Sequence, residues 1–296
     1  MEKVKKKKSL TTFDIVTFIL LICFALLCLY PFWYVIVGSL NNGKDYLRGG
    51  VNLWPRLFSL DNYIYVFNDS RLWIGFRVST IRTIIGTITG LLFTATVSYA
   101  MSRKDLPCRN IIFWFMLFTM FFGAGMIPYY LVLKLLNLID TFAVYIIPSL
   151  FNVFHMIIIM NYFKDVPSEM HEAAEIDGAK ELQIYLKVYL PLAKPVLATV
   201  CLWLAVGHWN SYFDSMVYTN SSDLQTLQLF LVKLIKEANL AASDANVALP
   251  SNITQSTVVA TVRYAAIVIS SAPILFVYPF VQKYMGKGIM LGSLKG

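Results

Sequence analysis

The chain has 296 residues, 57% of them hydrophobic and 14% charged, against roughly 45–50% and about 25% in soluble domains. A soluble fold with so few charges could not cover its own apolar surface, so the composition excludes an ordinary soluble enzyme as well as a disordered or fibrous chain. Its apolar runs are long and continuous, which points to an all-α polytopic membrane protein and not to a barrel. The net charge of +8 fits basic residues gathered on the cytoplasmic side of a membrane and needs no nucleic acid.

A membrane span takes about 20 mostly apolar residues, and six segments qualify, at about 14–38, 75–101, 111–134, 142–163, 195–219 and 259–282. The first follows Lys3, Lys5, Lys6, Lys7 and Lys8, as a signal peptide would. Its apolar stretch is too long for one, no small-x-small cleavage site follows, and Leu20-Leu21-Ile22-Cys23 lacks the small residues of a lipoprotein box, so it reads as a retained anchor. The lysine run itself is a topology signal or, as a lesser alternative, a lipid site. Placing both termini in the cytoplasm puts more than twice as many Lys and Arg inside as outside. The outer segment 39–74, with Trp54-Pro55, is expected to lie along the membrane surface. The outer segment 220–258 carries Leu224, Leu227, Leu231 and Leu234 at helical spacing and is expected to form an amphipathic helix. Cys23, Cys28, Cys108 and Cys201 have no metal-ligand spacing and are read as packing residues. No P-loop GxxxxGK[ST] occurs, so this chain binds no ATP by that motif.

The inner segment 164–194 is the most informative. Pro167 suits a first helical turn, Glu169 and Glu172 sit favourably near the positive end of that helix, and Gly178 supplies a left-handed stop. A second helix restarts near Glu181 and runs to Pro191, and the small Ala173 and Ala174 leave a surface that a partner can approach closely. A plain linker between two spans is the bland alternative. His171 is expected at the surface of this segment.

Glu172-Ala173-Ala174, then Gly178, then Val188-x-Leu190-Pro191 resembles the EAA loop of bacterial ABC-importer permeases, EAA-x3-G-x9-I-x-LP, with Val188 in place of isoleucine. Asp177-Gly178-Ala179 and Pro195 match as well, whereas Lys180 stands where a capping serine or asparagine is usual, which leaves the second helix less sharply started. Gly125-Met126-Ile127-Pro128-x-Tyr130, His208-Trp209-Asn210-x-Tyr212 and the ending Gly292-Ser293-Leu294-Lys295-Gly296 are similar to the carbohydrate branch, in particular to the second permease of Gram-positive oligosaccharide uptake systems. The resemblance implies a type I ABC-importer permease fold: a cytoplasmic basic tail (1–13), a six-helix transmembrane domain (14–282) with its coupling loop at 164–194, and a cytoplasmic C-terminal tail (283–296). It further implies a bacterial cell-membrane location, a heterodimer with a second permease, two cytoplasmic ATPase subunits carrying ATP and Mg, and an extracellular solute-binding lipoprotein. Glu172, Ala173, Ala174, Asp177, Gly178, Leu190 and Pro191 are then the ATPase-coupling residues, and the chain is no enzyme and holds no cofactor or metal itself.

Polar residues at membrane depth are functional candidates. His208, Trp209, Asn210, Tyr212 and Asp214 offer both aromatic faces and hydroxyl partners for a sugar and are candidates to line the translocation path, although a regular helix could not turn them all one way. Internal packing is the alternative. Arg77, Arg82 and Arg263 are expected to pair with acids or snorkel, with a substrate carboxylate as the sharper idea. His155 reads as a packing histidine, and Met116, Met120 and Met126 as bundle core. Rival readings are an importer of peptides or amino acids, a membrane enzyme using His155, His208 and Asp214, and a secondary transporter, which should show paired halves that this sequence lacks.

Overall fold

Every backbone N–H and C=O in hydrocarbon must be satisfied inside the protein, and this chain meets that demand with helices. The structure, a computed structural model, describes residues 12–50, 53–243 and 259–288. The basic tail and the Gly292–Gly296 ending lie outside these residues. In order the helices are α1 (Thr12–Ser39), α2 (Gly43–Tyr46), α3 (Asp61–Phe67), α4 (Ser70–Ser102), α5 (Arg109–Phe121), α6 (Met126–Leu135) and α7 (Val153–Lys164). They continue with α8 (Ser168–Ile176), α9 (Glu181–Ile184), α10 (Leu190–Leu192), α11 (Lys194–Asn210), α12 (Phe213–Tyr218), α13 (Leu227–Ser243) and α14 (Val259–Gly288). Among the described residues the only β-pairing is an isolated bridge between Asn41 and Phe58.

The expected spans are less regular than the sequence suggests. Helices α1 and α4 are each long and apolar enough to cross a membrane. The third expected span is broken, α5 and α6 meeting at 117° around Gly125, whose φ of +83° suits glycine. The fourth begins with a single 3₁₀ turn, Phe142–Tyr145, and becomes α-helical only at Val153, because Pro148 between them has no N–H to continue a helix. The fifth stops at Asn210, passes through extended Ser211 and restarts at Phe213.

Two compact units divide the chain. In the first, Met1–Asn68 with Ile235–Ile269, polar side chains fix the segment that follows α1. Asn62 is fully buried and its amide donates to the carbonyls of Ser39 and Asn41, both at 2.9 Å, while accepting from the Thr261 hydroxyl at 2.7 Å. The hydroxyls of Tyr34, Tyr46 and Tyr264 form a chain at 2.7 and 2.9 Å. Trp33 and Trp54 meet edge to face at 5.7 Å, and Trp54 is otherwise exposed, as an interfacial aromatic would be.

In the second unit, Asp69–Leu234 with Ser270–Gly296, α4 is the element on which α7 and α11 pack. Tyr99, Phe163, Tyr185, Tyr189 and Val200 form the core at one end, and Val78, Leu133, Tyr145 and Tyr218 a second one. The expected amphipathic helix is α13, with Leu227, Leu231 and Leu234 buried. Its start is held by Ser79, whose hydroxyl accepts the Leu227 N–H at 2.9 Å.

Some packing expectations need correction. Cys23, Cys28 and Cys108 are exposed rather than packed: the first two lie on α1, which presents nearly all its side chains outward, and Cys108 lies in the loop that precedes α5. Met116 does join the core of Met101, Met156 and Met160, but Met120 and Met126 flank the break between α5 and α6 and are exposed. His155 packs as read, its ring stacked on Trp203 at 5.7 Å, but it is not a satisfied histidine: its buried Nδ1 has no hydrogen-bond partner among the described residues.

Candidate functional site

The hairpin of α8 and α9 is built from its sequence residue by residue. Pro167 lies one position before the helix, at the N-cap, and Glu169 occupies the first turn. The end of α8 is a two-bond stop: Gly178 N–H donates to the carbonyl of Glu175 at 2.9 Å and Ala179 N–H to that of Ala174 at 3.0 Å. This arrangement requires a left-handed residue, which Gly178 provides at φ +79°. Ala174 and Ala179, brought together by it, pack against the aromatic core. Lys180 is extended, and the side-chain carbonyl of Gln183 accepts its N–H at 2.9 Å. Half of a capping box therefore replaces the missing serine. Beyond α9, Tyr185–Tyr189 widen into a π turn, and the chain bends by 82° between Glu181–Leu192 and α11.

Glu172, Ala173, Asp177, Gly178 and Pro191 are exposed, and Ala174 and Leu190 half-buried. The hairpin also exposes apolar side chains that the motif does not mention: Ile176 at 86%, Leu182 at 65% and Met170 at 43%. The lining of a cleft of about 1030 Å³ mixes basic side chains, among them Arg103, Lys104 and Arg109, with acidic ones, among them Asp165, Glu169, Glu172 and Glu175. Apolar knobs next to a charged cleft form a surface suited to another protein.

His171 contradicts its expected surface position. It is 4% exposed, lies edge-on to Tyr189 and shares a hydrogen bond of 3.2 Å with Glu175, one turn on. Its Nε2 is also 3.8 Å from the Glu181 carboxylate. Glu181 in turn accepts from the Tyr99 hydroxyl at 2.6 Å and pairs with Arg103 at 3.4 Å. The i,i+4 spacing of His171 and Glu175 was visible in the sequence, but the partners of Glu181 were not.

The five polar and aromatic residues near the end of α11 divide into two environments. His208 is buried with its ring against Gly86, so close that an added Cβ on the glycine would lie 2.4 Å from Nε2. Trp209 is buried edge-on to Phe76 at 5.9 Å and donates its indole N–H to the Ser270 carbonyl at 3.1 Å. Asn210 and Tyr212 are exposed. Asp214 pairs with Arg82, and its Oδ1 also accepts from the Ser211 hydroxyl and the Ser215 N–H, both at 2.9 Å. Arg82, 2% exposed, also reaches the Ser211 carbonyl at 3.4 Å. The break after Asn210 is thus secured by an arginine from α4. Arg77 is exposed, and Arg263 lies over the Tyr264 ring at 5.5 Å.

Comparison with known proteins agrees with this architecture. The chain is 36% identical to the polygalacturonan/rhamnogalacturonan transport system permease protein YtcP of Bacillus subtilis, over 96% of this chain and 98% of that one. It is equally similar to protein LplC of the same organism, over 98% and 97%. Among solved structures it superposes with a TM-score of 0.84 and 35% identity on a chain of a bacterial ABC transporter involved in import of the acidic polysaccharide alginate, covering 95% of this chain and 99% of that one. A chain from a bacterial alginate ABC transporter complex shares the fold at 12% identity and a TM-score of 0.56. Residues 86–290 match the family model for the binding-protein-dependent transport system inner membrane component. With the type I importer fold and the EAA hairpin in place, the chain belongs to that family: it is a permease subunit of a binding-protein-dependent ABC importer, and not an enzyme.

Proposed function

We propose that this subunit imports oligosaccharides, and among them those carrying uronic acid carboxylates. The observation that carries the reading is its full-length similarity, at 35–36% identity, to a polygalacturonan/rhamnogalacturonan permease and to a chain of an alginate importer. The peptide or amino-acid alternative has no such support. In this reading the chain spans the membrane six times with both termini in the cytoplasm and pairs with a second permease. Of two ATPase subunits, which hold ATP and Mg, one binds the α8–α9 hairpin of this chain through Glu172, Ala173, Ala174, Asp177 and Gly178, and the α10 turn beyond it through Leu190 and Pro191, with Ile176 and Leu182 filling apolar pockets. ATP-driven closure of the ATPase pair brings the two hairpins together and opens the permease pair outward to a sugar-loaded binding protein; hydrolysis resets it. This is a two-state element biased from both ends.

In this reading Asn210 and Tyr212 line the translocation path, a role supported by their exposure beside the broken span. Arg82, occupied by Asp214, is a structural cation, not the carboxylate receptor. The test is uptake of labelled oligogalacturonides by cells with and without the chain, repeated after ATP depletion at constant ion gradient. Loss in both cases supports the reading. Intact galacturonide uptake in the deletion strain, with lost uptake of a neutral oligosaccharide or a peptide, refutes the acidic substrate. Asn210→Ala with normal expression should reduce uptake, and unchanged kinetics would remove Asn210 from the path.

A further inference from the structure

We propose that Glu181 is a positioning residue that fastens the coupling hairpin to α4, so that movement of the hairpin is carried along α4 to the break at Ser211–Tyr212. The inference rests on the coupling role proposed for the hairpin, and adds to it the route by which coupling leaves the hairpin.

Glu181 opens α9, on the limb of the hairpin beyond Gly178, and its carboxylate meets three groups from two other elements. The Tyr99 hydroxyl at 2.6 Å and Arg103 at 3.4 Å both come from the end of α4, and His171 at 3.8 Å comes from α8. One side chain therefore ties both limbs of the hairpin to the same helix. Glu181 is half exposed, and an ion pair so placed contributes little to stability. What its contacts fix is geometry. Around them the rings of Tyr185 and Tyr189 each lie 4.9 Å from that of Tyr99, so α4 has no room to slide past the hairpin without breaking the cluster.

The N-terminal half of the same helix holds the break. Arg82 grips Asp214 and the Ser211 carbonyl, and Gly86 receives the His208 ring. From Tyr99 to Arg82 is about 25 Å along an unbroken α-helix. A rigid rod anchored by charge at two points moves both points together. The rival account is that Glu181 merely favours the N-terminus of α9 through the helix dipole. Aspartate would serve that purpose equally well, but it is too short to keep the Tyr99 and Arg103 contacts.

The test uses the whole importer in lipid nanodiscs, with Cys23, Cys28, Cys108 and Cys201 replaced by serine and Tyr212→Cys as reporter. The rate at which a water-soluble maleimide labels this chain is measured without nucleotide and after trapping with ATP and vanadate, so no sugar is required. In the parent, trapping should change the rate. In Glu181→Gln and in Glu181→Asp, with the ATPase still co-purifying, that change should shrink about 5-fold or more, the lower end of ordinary coupling. A nucleotide response as large as the parent's in either variant overturns the proposal. Should both variants lose the ATPase, the exchanged pair Arg103→Glu with Glu181→Arg decides: a recovered response supports the link and its absence overturns it. A parent with no response overturns the link at its Ser211–Tyr212 end, and leaves the substrate reading to the uptake experiment.

Discussion

Arg82 and Asp214, 132 positions apart in the chain, meet as a two-pronged ion pair: Nη1 donates to Oδ1 at 3.0 Å and Nη2 to Oδ2, with the Tyr145 ring 4.6 Å from the guanidinium. Removing one partner leaves a mostly buried charge, Arg82 at 3% or Asp214 at 21% side-chain exposure, without its counter-charge, at a cost of up to about 3–5 kcal/mol. Arg82→Ala should therefore lower the thermal unfolding temperature of the purified complex sharply. The apolar exchange Arg82→Met with Asp214→Leu should cost much less, because no lone charge remains. Equal losses in the single and double variants would mean that the pair does not act as a unit.

Gly86 and Gly207 lie on helices that pack together, α4 and α11, and their surroundings are opposite. At Gly86 a new Cβ meets the His208 ring, whereas at Gly207 it meets nothing within 4 Å. Gly86→Ala should cost about 1–3 kcal/mol through overpacking. Gly207→Ala should be neutral or stabilise by up to about 1 kcal/mol through helix propensity. Thermal unfolding of the two variants side by side checks this, and Gly86→Ala should recover part of its loss when combined with His208→Ala.

At Gly178 a side chain has space, since nothing lies within 4 Å of an added Cβ, but the backbone sits at φ +79°. Gly178→Ala should cost about 1–2 kcal/mol of strain and keep most of the ATPase bound. Gly178→Asp adds charge at the exposed surface and should detach the ATPase or uncouple it, read as ATPase retained on affinity-purified permease. Normal retention and normal uptake in Gly178→Asp would remove this bend from the docking surface.

Asp140 clips two loops together. The Ser221 N–H and hydroxyl, with the Asn220 N–H, hold its carboxyl below the usual carboxylate range, through bonds of 2.9, 2.7 and 2.9 Å. A depressed folded pKa gives stability that is present above the unfolded value of about 3.9 and is lost as pH falls through the folded value. The difference in unfolding temperature between the wild type and Asp140→Asn should therefore be largest near neutral pH and vanish in acid. A difference independent of pH would contradict this role.

Much of the hairpin was legible in advance because its signals are local. Gly178 announces a left-handed stop, and the alanines before and after it a close contact, without reference to any distant residue. His171 was misplaced for the complementary reason. A histidine between two glutamates on a short polar helix looks solvated, and only the aromatic cluster from α4, α7 and the π turn, brought in from across the sequence, buries it. The long apolar runs revealed where helices form but not where they break. Apolarity is needed at membrane depth whether the backbone is straight or bent, so the turn after Tyr145 and the stop at Asn210 left only Pro148 and a cluster of polar residues as clues.

The sequence by itself determined the membrane class, the helical fold and the EAA-type hairpin, because lipid leaves the backbone few choices and the hairpin is a contiguous motif. Only the tertiary structure decided that Arg82 answers Asp214, that Glu181 answers α4, and that His208 and Trp209 face inward while Asn210 and Tyr212 face out. Those outcomes depend on which charges and rings the folded helices bring within hydrogen-bond reach, and separation along the chain carries no record of that distance.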